Sequence, residues 1–75
     1  MSSAEVHATS VVPMANQIAA FFASQGDHDV AVAGTADHIK AFWAPVMRRD
    51  LLALVDAGEA HRLSAIARDA ILRLR

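Results

Sequence analysis

Residues 37–52, DHIKAFWAPVMRRDLL, decide how this chain is read. The stretch holds the only tryptophan, Trp43, with Phe42, one of two prolines (Pro45) and the cations Lys40, Arg48 and Arg49. A proline sterically disfavours helical geometry at the residue before it, here Ala44, and suits the first turn of a new helix, where its missing N–H is not needed. One helix, carrying Asp37, His38, Ile39, Phe42 and Trp43, is therefore expected to run up to Pro45, and another to start there. The predicted product is a corner with a large aromatic side chain at its bend. Consecutive residues on a helix diverge by about 100°, so Phe42 and Trp43 cannot both face the bundle's centre. One of them is expected to point outward, and an outward aromatic next to arginine is a typical anchor for a protein interface.

Upstream of the corner, residues 1–11, MSSAEVHATSV, are small and polar with weak periodicity, and read as a flexible lead-in. A single helical domain is expected over 12–75. Its first helix should begin at Val12 or Pro13, with Ser10 as a candidate cap and Gly26 beyond its end. Met14, Ile18, Phe21 and Phe22 fall at i, i+4, i+7 and i+8 and form one apolar stripe, with Asn16 and Gln17 largely off it. Asp27, His28 and Asp29 open the second helix by capping free N–H groups and complementing the helix dipole. Val32, Ala36, Ile39 and Trp43 then form its inner face. Gly34, inside this helix, costs roughly 1 kcal/mol relative to Ala, and suggests that another backbone comes close there.

Downstream, Met47, Leu51, Leu54 and Val55 share a face of a third helix that should stop at Gly58. The segment 58–62 reads as a connection, partly helical. Leu63, Ile66, Ala67, Ala70, Ile71 and Leu74 form the fourth stripe, with Ser64 a candidate cap. The expected fold class is all-α, a small bundle or array of about four short helices with the proline-marked corner between the second and third.

Composition supports that class. Apolar types make up 55% of the 75 residues, but 17 of them are Ala, which favours helix and close approach over a bulky core. There is no cysteine, which removes disulfides and thiolate chemistry. A net charge of −1 hides an asymmetry, because residues 1–39 carry four acids and no Lys or Arg, while 40–75 carry seven bases and four acids. That split either draws the ends of the bundle together or offers a partner a polar surface. No apolar run approaches the roughly 20 residues that span a bilayer, nor does the N-terminus read as a signal peptide. A soluble, cytoplasmic protein is expected.

Candidate chemistry is thin. His7, His28, His38 and His61 occupy four different segments without a ligand-type residue at i+4, so no metal site is expected. Asp37-His38 resembles half of a proton relay with no nucleophile beside it, and Ser64 is better explained as a cap. The favoured role for His38 is a hydrogen bond to a partner or to a neighbouring carbonyl. The arginines are interspersed with Asp50, Asp56, Glu59 and Asp69, unlike the one-sided basic face of a phosphate binder. No glycine-rich phosphate cradle is present. The chain reads as a binding part with no catalytic, cofactor-binding or metal residues of its own, and His38, Phe42, Trp43, Met47, Arg48 and Arg49 are its candidate interface.

The pattern D-H-x-x-x-F-W-x-P-x-M-R-x-x-L-L at 37–52, with A-N-Q-I-A-x-F-F at 15–22, resembles the small delta subunit of soluble NAD-dependent formate dehydrogenases over about residues 14–74. The resemblance implies a non-catalytic accessory subunit that docks on the catalytic alpha subunit and supports its assembly, cofactor retention or stability, with beta and gamma subunits in the same complex. It further implies that the partners hold a molybdenum or tungsten bis-pterin cofactor, iron–sulfur clusters, FMN and NAD, and that this chain binds none of them. The alternative reading is a free-standing helical regulator, with DNA as its target. Neither nucleic acid nor membrane is expected as a partner under the first reading.

Overall fold

The proline corner sets the architecture. In the computed structural model, which describes residues 3–75 and side chains from Ser10 onward, four helices follow in order. They are α1 (Ser3–Ala23), α2 (His28–Phe42), α3 (Pro45–Leu54) and α4 (Ala65–Arg73), with a wide π-type turn at Val55–Glu59 and a 3-10 turn at Ala60–Arg62 before α4. Among the described residues there is no strand, and no helix is long and apolar enough to cross a membrane.

Each boundary has a local cause. The Asp27 side chain accepts a hydrogen bond from the Val30 N–H at 2.9 Å, capping α2. At the other end Trp43 and Ala44 take extended ψ angles of 140° and 148°, as the residue before a proline should, and Pro45 occupies the first turn of α3. The helical run after α3 breaks at Gly58, whose φ is +84°. Ser64 caps α4 through the Ala67 N–H. The sequence misplaces one boundary. Helix α1 starts at Ser3 instead of Val12 or Pro13, and Pro13 lies inside it. Valines 11 and 12 are buried beside that proline, and their packing holds the helix where a backbone hydrogen bond is lost. Of the expected lead-in, residues 1–2 and the side chains of 3–9, including His7, lie outside the described residues.

Helix α1 packs against all three other helices, and α4 lies against α2. The main core joins Val11, Ala15 and Ala19 of α1 to Ile39 of α2 and Trp43 just beyond its end, Leu51 and Leu54 of α3, and Leu63, Ala67 and Ile71 near the C-terminus. Val32, Ala36 and Ala70 extend it between α2 and α4. The inner faces expected for α2, α3 and α4 are the observed ones, while that of α1 is rotated. Its buried residues are the small Val11, Val12, Ala15 and Ala19, whereas Met14 and Phe21 are 39% and 60% exposed. Small side chains let α1 approach its neighbours closely, and the bulky ones are left on the flank. The radius of gyration is 11.5 Å, close to the roughly 11 Å expected of a compact chain this long.

Asn16 locks the two ends of the chain together. Its amide donates to the Arg62 carbonyl at 3.1 Å, and its Oδ1 accepts from the Ser64 N–H at 2.9 Å. A side chain that the sequence places off the apolar stripe thus clasps α1 to the turn that starts α4. Inside α2, the Thr35 hydroxyl is buried and donates to the Ala31 carbonyl at 2.8 Å. Among the described residues no buried side-chain polar atom lacks a partner.

Candidate functional site

The corner divides its two aromatics as helical geometry demands. Trp43 is 7% exposed and belongs to the core, whereas Phe42 is 75% exposed. From Phe42 a row of rings runs back across the surface to α1. The Phe42 and His38 centroids are 4.8 Å apart, those of His38 and Phe22 are 6.4 Å apart, and Phe22 and Phe21 meet edge to face at 5.1 Å. Gly34 makes this row possible. A Cβ there would come within 2.4 Å of Phe22 Cδ1, so the glycine opens the surface of α2 to a ring, not to a backbone as its sequence context suggests.

Two shallow depressions flank the row. One, of about 270 Å³, is lined by Gln17, Ile18, Phe21, Phe22 and His38. The other, of about 360 Å³, lies among Met14, Gln17, Ile18, His38, Phe42, Trp43 and Met47. They share Gln17, Ile18 and His38, and together form one trough between the outer strips of α1 and α2, closed at one end by the start of α3. Its side-chain lining is carbon and sulfur apart from the Gln17 amide, the His38 ring and the Trp43 indole N–H.

Of the six residues that the sequence singles out, His38, Phe42, Trp43 and Met47 come together in this trough. Arg48, half-buried, and Arg49, exposed, follow Met47 on α3 and do not line it. Among the described residues His38 makes no hydrogen bond to a neighbouring carbonyl, which leaves a partner as the expected one, and its ring is held between Phe22 and Phe42. The whole α1 wall goes unsingled in the sequence reading. Its signal was present, because Met14, Ile18, Phe21 and Phe22 together with Val11, Ala15 and Ala19 cover more of a helix than one core face can absorb.

The electrostatics lie elsewhere. His28 Nε2 and Asp69 Oδ2 are 2.9 Å apart and join the start of α2 to α4. This hydrogen bond lowers the Asp69 pKa below its usual value of 3.8, opposed by desolvation and aided to a lesser degree by Arg68. Arg75 pairs with Asp56. Among the described residues no Lys or Arg of the basic half pairs with an acid of the acidic half, so the asymmetry of charge is not consumed inside the fold. Also among the described residues, no three His, Cys, Asp or Glu side chains converge.

The family model described as the NADH-dependent formate dehydrogenase delta subunit FdsD matches residues 10–71 of the chain. No curated protein and no solved structure matches it.

Proposed function

From the premise that the chain belongs to the family of NADH-dependent formate dehydrogenase delta subunits, we propose that it is a non-catalytic accessory subunit seated on the catalytic subunit of a cytoplasmic complex. There it supports assembly, cofactor retention or stability. The redox groups, namely a molybdenum or tungsten bis-pterin cofactor, iron–sulfur clusters, FMN and NAD, belong under this reading to the other subunits.

The observation that carries the proposal is the unpartnered aromatic row. Phe42 and Phe21 are 75% and 60% exposed at its two ends, with Met14 39% exposed beside them. Three large apolar side chains gathered on one face of so small a protein expose surface whose burial is worth roughly 25 cal/mol per Å². Phe42 is therefore the anchor. Trp43 supports it from inside the corner, and Arg48 and Arg49 are placed to pair with carboxylates or carbonyl oxygens of the partner.

Retention in the complex provides the test. Phe42→Ala should keep its helical circular dichroism and weaken retention by roughly thirtyfold, the equivalent of losing a buried anchor worth about 2 kcal/mol. Val30→Ala, at an exposed apolar position outside the trough, should leave retention unchanged. Co-purification of Phe42→Ala at wild-type yield and salt resistance would remove the anchor.

A further inference from the structure

The trough constrains the secondary structure of what fills it. Its walls are two helices, α1 and α2, whose backbone N–H and C=O groups are engaged within each helix, so neither offers an edge for strand addition. An extended segment lying here would turn its own backbone groups toward Phe21, Phe22, Phe42, Met14 and Met47, with Gln17, His38 and the largely buried Trp43 indole N–H the few side chains able to hydrogen-bond them. Leaving buried backbone groups unpaired is costly. A helix arrives with those bonds already made.

We infer that the trough receives an amphipathic helix of the partner subunit. This inference rests on the docking role proposed above and adds the form of the occupant. Two depressions that share a central wall suit two large apolar side chains from one face of such a helix, with a polar group between them facing Gln17 and His38. The row of centroids from Phe21 to Phe42 is at most about three helical turns long at 5.4 Å per turn.

Charge orients the occupant. Arg48 and Arg49 follow Met47 at the α3 end of the trough and have no carboxylate partner among the described residues, with Asp50 the one acid in that helix. The helix that docks therefore carries its acidic residues at the end nearest α3. At the opposite, Phe21 and Phe22 end, no cation lines the wall.

Photo-crosslinking in the intact complex tests this. Benzoylphenylalanine is placed in turn at Met14, Phe21 and Phe42, and the attachment points are mapped by mass spectrometry. The expected result is one partner segment, modified at positions three or four residues apart or at multiples of that spacing. Attachment at every second residue, or at three separate segments, overturns the helix while leaving docking intact. Crosslinks between two copies of this chain overturn it in favour of self-association. Silence at all three probes, with a probe at Val30 reacting instead, would overturn both the helix and the docking face. Arg49→Glu should weaken retention at low salt about tenfold and Arg73→Glu less than about twofold, and equal losses would remove the acidic end.

Discussion

Gly58 is the residue at which backbone conformation alone sets the outcome. A Cβ built there meets nothing within 4 Å, yet its φ of +84° lies where L side chains are strained. Gly58→Ala should therefore destabilise the fold by about 1–2 kcal/mol through the backbone alone, and Gly58→Asn by less, since Asn tolerates this region better. Chemical denaturation of the two variants measures the difference, and an unchanged midpoint in Gly58→Ala would show that the turn relaxes without loss. The same scale explains what was legible in the aromatic pair. Adjacency on a helix required Phe42 and Trp43 to diverge, and the spacing of Trp43 with Val32, Ala36 and Ile39 placed it on the inner face, where it lies, with Phe42 outside.

Between elements, the His28–Asp69 contact is the pair that responds to pH. Asp69 has a folded pKa below 3.8, so the unfolded chain takes up this proton more readily than the folded one. The stabilisation from the contact is then fully present above about pH 4 and is lost as the pH falls through the lowered value. Asp69→Asn should unfold at a lower temperature than the parent at pH 6, and the two should converge as the pH falls below 3.8. A gap that persists in acid would mean that Asp69 acts by packing alone. Elements were legible where caps and stripes were unambiguous, as at Asp27, Ser64 and the inner face of α2. The start of α1 was not, because a proline normally marks a first turn, whereas burial of Val11 and Val12 carried the helix through Pro13. The rotation of α1 was missed for a related reason. Periodicity ranks bulky residues as core, while close helix packing selects Ala15 and Ala19.

At the scale of the whole molecule, residues of all four helices meet in one main core, and Asn16 ties the first helix to the last. Such a chain should unfold as a single unit. Trp43, buried within that core, reports tertiary packing, and far-ultraviolet circular dichroism reports the helices. Their urea transitions are expected to coincide, as for other small single domains, and separate midpoints would show that a pair of helices survives alone. All-α architecture was evident from composition, but the trough was not. It is a property of two helices side by side, and the sequence describes each one separately.

The clasp by Asn16 also bears on biosynthesis. Its partners, the Arg62 carbonyl and the Ser64 amide, are synthesised 46 and 48 residues after it, and Ala67, Ala70 and Ile71 complete the core later still. While the ribosome still shelters that stretch, α1 can already meet α2 and α3, whose side chains with its own line the trough. The clasp and the contacts of α4 then close a surface whose apolar face has formed first.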